Sequence, residues 1–400
     1  MKRIFIWVGV CVFFLALLGG GYLWFSKEET VQEEQVVKFL IPYSTSHASA
    51  RSVYAGVDLA LAEMGGYAGK YLIELVRVDI SNTEVPAAFD DVKKIPSIIE
   101  HLDDPALLAS IGPIASPVHI AIAPLLNRAR VAQMGFSVTY TGLSKPNYAS
   151  ADEYRNLFPT GELTFFSMTA NGERQSQVAV EFAWRRGANS LMLLSDGIAF
   201  GEGIVKSAGE YAATKQMTTI RYSLPEFASS TKNFDEIFAT RPDAIIVGSF
   251  GSPRLFEFVN AAREYGYTGD IIGPSFSGTI ENPGTFIHTE NIFSVDPLPD
   301  QEDLVSVRAK EFERNYFEAY GEKPASRFTL AGYEAASLVF RIAAETGPDK
   351  TKFLNALRTV RSINTAYGLV AFNEYGAPRD PVLYISRLQD KKWVFEQEME

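Results

Sequence analysis

The sequence has few of the residues on which metal sites, disulfides and most covalent catalysis depend. Cys11 is the sole cysteine, so no disulfide can form within the chain. The four histidines, His47, His101, His119 and His288, have no spacing that suits a metal ion, and no cysteine cluster accompanies them. These absences predict a protein with no bound metal and no cofactor.

Two motifs of nucleotide and ester chemistry are also missing. Residues 201–207 resemble a phosphate-binding loop, but the glycine that should precede Lys206 is Val205. The GPSFSG segment at residues 273–278 has the wrong register for the turn that carries a nucleophilic serine. The sequence therefore predicts no catalytic residues and no enzymatic activity.

Positive charge is scarce. The 37 Lys and Arg residues are outnumbered by 48 Asp and Glu residues, which gives a formal net charge of -11. The basic residues stand singly or in pairs along the chain rather than in one patch. A surface that binds nucleic acid needs concentrated positive charge, so we expect no nucleic acid partner.

The N-terminus carries a long uncharged run. Residues 4–25 are 22 residues without a charge, preceded by Lys2 and Arg3. As a helix they would measure about 33 Å, enough for the hydrocarbon core of a membrane, with the basic residues in the cytoplasm. We expect an uncleaved anchor; the alternative is a signal peptide cut near the glycines at 19–21. Either route exports the remainder, and the acidic residues 26–35 would form a polar tether.

From Val36 onward, short apolar runs alternate with longer amphipathic ones. This βα order predicts α/β architecture with doubly wound, parallel sheets and right-handed crossovers. Two such series, the second beginning near residue 172, predict two similar lobes. The expected limits are residues 36–158 and 297–366 for the first lobe and residues 159–296 and 367–400 for the second. Crossings near residues 157–161, 294–299 and 367–372 would form a three-stranded hinge.

Polar groups gather where two predicted strands end, within residues 106–144. Ser116 and Pro117 follow the first strand and are placed to be the N-cap and first residue of a helix. Ser137 and Thr139 follow the second strand. Open α/β sheets bind ligands at the carboxyl ends of their strands, and a helix N-terminus suits a carboxylate or another anion. A purely structural cap is the alternative role of Ser116.

Over residues 36–394 the chain resembles type I periplasmic binding proteins. The marks that match in order and spacing are YAGVDLALAEM, IGPIAS with the following AIAP helix, LMLLSDGIAFGEG, PDAIIVGSFG and AAREYGYTGDIIGPS. The YFEAYGEKPASRFTLAGYEAA helical pair and YGLVAFNEYGAPRDPVLYI continue the match. The likeness is strongest to the leucine/isoleucine/valine-binding branch, which feeds ABC importers. The resemblance implies an interlobe ligand cleft, a periplasmic or extracytoplasmic location and an ABC permease as partner.

The resemblance also implies which residues bind the ligand. A hydroxyl at the position of Ser116 holds the α-carboxylate of an amino acid, and groups at Ser137 and Thr139 bind the backbone atoms of that ligand. Phe200 and Phe250 align with aromatic residues, usually tyrosines, that cover the ligand. Packing in the core is the alternative role of both phenylalanines.

Ser275 departs from the family pattern. It aligns with an acidic residue that pairs the α-ammonium group of the ligand, and a serine cannot neutralise a buried ammonium. The ligand is therefore expected to be a small molecule of the amino acid, amide or carboxylate class, with neutral or anionic compounds favoured over zwitterions.

Two functions other than import remain open. The chain could be a membrane-anchored sensor or regulator whose bilobed domain signals to a partner protein, or a binding module that has lost its ligand. Neighbouring genes for permeases and ATPases would indicate transport, whereas a neighbouring kinase or cell-wall enzyme would not.

Overall fold

The described part of the chain covers most of the region after Val36. The structure, a computed structural model, describes residues 35–43, 50–80, 96–146, 148, 150–224, 232–249, 253–279 and 285–399. The predicted anchor at residues 4–25, the tether before Gln35, His47 and Phe250 lie outside the described residues. Within the described ranges, no helix is both long and apolar enough to cross a membrane.

Six strands form the first sheet. They are β1 (Val36–Tyr43), β2 (Tyr67–Ala68), β3 (Tyr71–Asp79), β4 (Leu107–Ile111), β5 (Ala132–Gly135) and β6 (Phe165–Ser167). Their spatial order is β2-β3-β1-β4-β5-β6, and all neighbours are parallel except β2 and β3 at the edge. The central strands β4 and β5 are buried along their whole length, as expected for parallel strands covered on both faces.

Helices alternate with the strands. In the described ranges they are α1 (Ala50–Glu63), α2 (Pro96–Ile99), α3 (Ser116–Arg128), α4 (Ala151–Leu157), α5 (Gly172–Arg185), α6 (Ala199–Thr214), α7 (Lys232–Ile237), α8 (Pro253–Glu264), α9 (Phe276–Thr279), α10 (Val307–Tyr320), α11 (Arg327–Thr346) and α12 (Lys350–Arg358). Helix α11 packs closely on α1. A Cβ atom added at Gly332 would lie only 2.9 Å from the Val53 carbonyl oxygen. Buried side chains of α1, α11 and α12 form one core with the first sheet.

Seven strands form the second sheet. They are β7 (Ser190–Ser195), β8 (Thr218–Ser223), β9 (Ala244–Gly248), β10 (Asp270–Pro274), β11 (Ile292–Asp296), β14 (Leu383–Gln389) and β15 (Lys392–Met399). Their order is β15-β14-β11-β10-β9-β7-β8, with β14 and β15 antiparallel at one edge. A small hairpin, β12 (Ile363–Thr365) and β13 (Gly368–Val370), stands apart. The prediction of α/β lobes with parallel sheets is confirmed, whereas β6 and β15 were not predicted.

The chain passes between the two sheets three times. Because β6 pairs with β5, the first passage follows Ser167 rather than the predicted residues 157–161. The second follows Asp296, the last residue of β11. Phe372 still belongs to the core of the first sheet, so the third passage comes after it, later than the predicted limit at residue 366. Short, paired segments such as β6 carry little periodicity, which is why the first and third passages were predicted too early.

Candidate ligand-binding site

The predicted residues of the first lobe meet where β4 and β5 end. The two strands are parallel neighbours, with Ile111 opposite Met134. Helix α3 begins at Ser116, so the prediction of Ser116 as N-cap is wrong by one residue. Ala115 has the extended backbone of the cap, and no side chain caps the helix. The Ser116 hydroxyl oxygen instead accepts a hydrogen bond from the Thr139 backbone N–H at 3.4 Å.

The three hydroxyls at this edge differ in what they already bind. Ser137 Oγ donates to the Ile114 carbonyl oxygen at 2.7 Å, so its hydroxyl satisfies a backbone group of the loop. Within the described residues, no acceptor takes the hydroxyl hydrogen of Ser116 or of Thr139. Each of these two residues therefore keeps a donor beside the N-terminus of α3, where a carboxylate is favoured.

A buried histidine holds this edge together. His119 Nε2 donates to the Pro113 carbonyl oxygen at 2.7 Å, and Gln133 Nε2 donates to His119 Nδ1 at 2.9 Å. His119 is fully buried, and burial lowers its pKa to about 3. The neutral ring thus links α3, β5 and the turn that leads to Ser116. Sequence reasoning found no role for His119, since a single histidine in a predicted helix carries no distinguishing pattern.

In the second lobe, Ser275 lies directly after β10 with a left-handed backbone, φ 63°. Its hydroxyl oxygen accepts a hydrogen bond from Gln175 Nε2 at 2.8 Å, and the same nitrogen donates to the Val295 carbonyl oxygen at 3.0 Å. Gln175 Oε1 is buried, and no described residue donates to it. Gln175 was not predicted as a site residue, because its helical spacing indicates only a buried face.

Of the two phenylalanines predicted to cover the ligand, only Phe200 lies within the described residues. Phe200 is 9% exposed and belongs to the hydrophobic cluster of the second lobe, with Ile204 and Val205 as neighbours in that cluster. Most of its surface is therefore covered by its own lobe. Phe250 lies outside the described residues. Contact of either phenylalanine with a ligand stays a prediction.

Two carboxylates lie where β7 and β11 end. Asp296 is 1% exposed; its Oδ2 accepts a hydrogen bond from Ser277 Oγ at 2.8 Å, and its Oδ1 lies 3.5 Å from Arg327 Nη1. Burial raises the pKa of Asp296, and the charge of Arg327 opposes that rise. Asp196 accepts a hydrogen bond from the Ile198 N–H at 3.2 Å, and burial also raises its pKa. Both carboxylates already have partners within the protein, and the described residues contain no group of acidic, histidine or cysteine side chains that could hold a metal ion.

The first turn of α5 joins the edges of the two sheets. The Gly172 N–H donates to the Thr139 carbonyl oxygen at 2.6 Å, on the side of the first lobe. Three residues later in the same turn, Gln175 Nε2 donates to the Ser275 hydroxyl of the second lobe. The predicted residues Thr139 and Ser275 therefore flank the same helical turn, although they are 136 positions apart in the sequence.

A second bridge between the lobes lies beside this turn. We call the described part of residues 140–148 the clasp segment. Lys206 Nζ, on α6, donates to the Tyr148 carbonyl oxygen at 2.7 Å, and Tyr148 Oη lies 3.3 Å from Ser207 Oγ. These contacts hold the loop after β5 against a helix of the other lobe.

Solved structures of solute-binding proteins share this fold. A leucine-binding protein, LivK, of Thermotoga maritima is 20% identical, with 91% of this chain and 99% of its own covered and a TM-score of 0.69. An ABC transporter substrate-binding protein of Desulfitobacterium hafniense, in complex with leucine, is 15% identical over 91% of this chain and 100% of its own, with a TM-score of 0.72. A solute-binding protein of an ABC transporter from R. palustris, in complex with benzoate, is 17% identical over 91% and 96%, with a TM-score of 0.65. At such identities the likeness establishes the fold.

The family assignment rests on a match to the sequence itself. A search of curated proteins finds no match. The periplasmic binding protein family, by contrast, matches residues 39–392, which is most of the chain. Its members are solute-binding proteins, and membership implies a location outside the cytoplasm. The resemblance read from the sequence is confirmed: the chain belongs to the periplasmic binding protein family.

Proposed function

We propose that the chain captures a small carboxylate- or amide-bearing solute in the cleft between its lobes and delivers it to an ABC permease. The observation that carries this proposal is the pair of uncommitted hydroxyls, Ser116 and Thr139, beside the N-terminus of α3. Two hydroxyl donors and a positive helix end are a suitable receptor for one carboxylate group. Family membership supports a solute-binding role.

The ligand class is inferred from the polar groups at the edge of the second sheet. In place of a carboxylate, the second lobe presents Ser275, whose oxygen is already bound by Gln175. Asp296 is buried, and its Oδ1 lies 3.5 Å from Arg327 Nη1, a cation that it shares with Asp300. Neither Ser275 nor Asp296 offers a free anion to an α-ammonium group, and burial of that group would be strongly unfavourable unless Asp196, which has no cationic partner among the described residues, paired with it. We therefore infer a preference for carboxylates or amides without a charged amine.

The similar structures are consistent with a carboxylate as the shared element. The D. hafniense protein is in complex with leucine and the R. palustris protein with benzoate. Both ligands carry a carboxylate, but only leucine carries an ammonium group. Under the proposed preference, this chain binds ligands that, like benzoate, carry a carboxylate and no ammonium group.

Calorimetry on the full-length protein in detergent tests the proposal, with benzoate and leucine as titrants. We expect benzoate to bind and leucine to bind at least tenfold more weakly. Ser116→Ala and Thr139→Ala should each weaken benzoate binding by about 1.5–3 kcal/mol, the contribution of a hydrogen bond to a charged group. Ser137→Ala is the matched control, since its hydroxyl is held by the Ile114 carbonyl and its loss should alter stability rather than affinity.

Two results would contradict the proposal. Micromolar binding of leucine together with no heat from benzoate would refute the inferred ligand class. Unchanged affinity in both hydroxyl variants, with unchanged unfolding, would place the ligand elsewhere in the molecule.

A second candidate function is favoured by the contacts of the clasp segment. Tyr148 already joins the two lobes through Lys206 and Ser207, so the lobes are bridged by the protein's own groups. A domain whose two lobes are already joined, and which the predicted anchor attaches to the membrane, would suit a sensor that signals to a partner protein. Small-angle scattering with and without bound solute separates the two functions. Solute-dependent compaction supports transport, and an unchanged radius of gyration supports the sensor.

A further inference from the structure

A cavity lies outside the edges described above, between α5 and the third passage between the sheets. Its volume is about 460 Å³. Asn171, Glu173 and Arg174 line one side, and Asn373, Arg379 and Asp380 line the other. The buried face of α5, with Gly172 and Gln175, serves the candidate ligand-binding site, whereas Arg174 lies on the partly exposed face. The cavity is therefore a separate feature of the molecule.

The two guanidinium groups of the cavity are not neutralised by the protein. Arg174 Nη1 makes one long hydrogen bond of 3.4 Å to the neutral Gln177 Oε1. Neither Arg174 nor Arg379 forms an ion pair with any residue that the structure describes. By contrast, Arg308 forms a two-pronged pair with Glu334, at 2.6 and 2.8 Å. What distinguishes Arg174 and Arg379 is that both line the same cavity.

The acidic residues of the lining do not cancel this charge. Glu173 Oε1 lies 2.5 Å from Lys145 Nζ of the clasp segment, so its charge is already compensated. Asp380 is exposed, and it forms no ion pair with the described residues. The lining itself holds two arginines and two acids, and Lys145, which pairs with Glu173, brings the formal charge of the site to +1. Asp380 is the acid without an ion pair that opposes the two guanidinium groups.

We propose that this cavity is a second ligand site, distinct from the interlobe cleft, for a small molecule that carries an oxyanion of the carboxylate or phosphate class. A volume of this size lies within the range of small-molecule sites. Planar guanidinium groups bind carboxylate and phosphate oxygens in two-pronged fashion. Because Arg174 belongs to α5 and Arg379 to the third passage, the ligand bridges two segments that lead from one lobe to the other.

Calorimetry on the full-length protein tests this site with two probes, inorganic phosphate and citrate, at low ionic strength. We expect binding of at least one probe, and a loss of affinity of about tenfold or more in Arg174→Gln and in Arg379→Gln. Asp380→Asn should act in the opposite direction and tighten binding, because it removes the opposing charge. Arg341→Gln is the matched control, since Arg341 is an exposed arginine of α11 away from the cavity.

The variants separate this site from the cleft. If Ser116→Ala abolishes anion binding while Arg174→Gln and Arg379→Gln retain it, the anion binds in the cleft and the cavity proposal is overturned. Equal losses in Arg341→Gln would show a general charge effect and would also overturn it. If neither phosphate nor citrate binds at millimolar concentrations, the cavity proposal is also overturned. Phosphate without citrate, or citrate without phosphate, identifies which oxyanion class the site accepts.

Discussion

In both sheets the carboxyl ends of parallel strands form one edge, but the side chains at the two edges differ in charge. At the first edge, Ser116 and Thr139 present uncharged donors and the supporting histidine is neutral. At the second edge, Asp296 is an acid buried to 1% exposure and held beside Arg327. A carboxylate at a sheet edge is thus no evidence by itself for an ammonium site. What its oxygens already contact decides whether it can bind a ligand.

The difference also concerns how each edge is stabilised. The first edge relies on hydrogen bonds between neutral groups, which contribute modestly but leave no large penalty when the ligand is absent. The second relies on compensation of a buried charge, which is strongly unfavourable when one partner is removed. Removal of Arg327 at the second edge should therefore alter folding, whereas removal of the Ser116 or Thr139 hydroxyl at the first edge should alter binding.

The largest effect is expected from Arg327→Met, which leaves Asp296 buried without its cation. We expect a loss of about 3–5 kcal/mol in the free energy of unfolding at pH 7, measured by urea denaturation. The loss should shrink at pH 5, because a buried acid with a raised pKa binds a proton in the folded state and folding is then favoured as the pH falls.

Asp296→Asn is the matched control for that prediction. It keeps the contact with Ser277, and Arg327 retains Asp300, whose Oδ1 accepts a hydrogen bond from Arg327 Nη2 at 2.6 Å. The control should be much less destabilising than Arg327→Met. Equal losses in the two variants would mean that packing, rather than charge compensation, holds the second edge.

Gly203→Ala tests the contact between the two lobes. A Cβ atom at Gly203 would lie 2.5 Å from Tyr148 Oη, so we expect a loss of about 1–3 kcal/mol from overpacking, measured by denaturation. Gly209→Ala, on the same helix, would meet only a Leu193 methyl group at 3.2 Å and should be neutral or slightly stabilising. Tyr148→Phe in the Gly203→Ala background should recover part of the loss. Without such recovery, Tyr148 is not seated against α6.

His119→Gln tests the support of the first edge through its pH dependence. The pKa of His119 is about 3 in the folded protein and about 6.5 when exposed, so the unfolded state binds the extra proton between these values. The stability from the neutral ring is complete above pH 6.5 and falls by up to about 1.4 kcal/mol per pH unit below it. Urea denaturation from pH 7 to pH 5 should show this slope in the native protein and a smaller one in the variant. Parallel slopes would assign the proton uptake to another group.

The fold could be predicted from the sequence because its signals are spread over many residues. The apolar runs of β4 and β9 and the amphipathic pattern of the long α11 each rest on many residues, so no single residue decides the prediction. The passages between the lobes were harder to place. Strands of three residues such as β6 lack a period of their own and are fixed only by their pairing with β5.

The candidate site could be predicted only in part. The places of Ser116, Thr139 and Ser275 after strand ends could be predicted because strand ends and the family pattern mark positions along the chain, whereas their contact with a ligand stays a prediction. Gln175 was not predicted, because its contact with Ser275 joins residues 100 apart in sequence. No local pattern indicates which distant hydroxyl a buried amide will bind, so the partner of Ser275 becomes visible only in three dimensions.

The smallest expected effect comes from adding a carboxylate at position 275 of the second edge. Ser275→Asp places a carboxylate at the position where the resemblance predicts an acid that pairs an α-ammonium group, at a residue that is 9% exposed. Asp tolerates the left-handed backbone of this position about as well as Ser, so folding should survive the change. We expect the ratio of leucine to benzoate affinity, measured by calorimetry, to rise by about tenfold, since the new charge attracts an ammonium and repels a second anion. An unchanged ratio in a folded variant would mean that the side chain of residue 275 does not face the bound amine, and that ligand selection lies with the first edge alone.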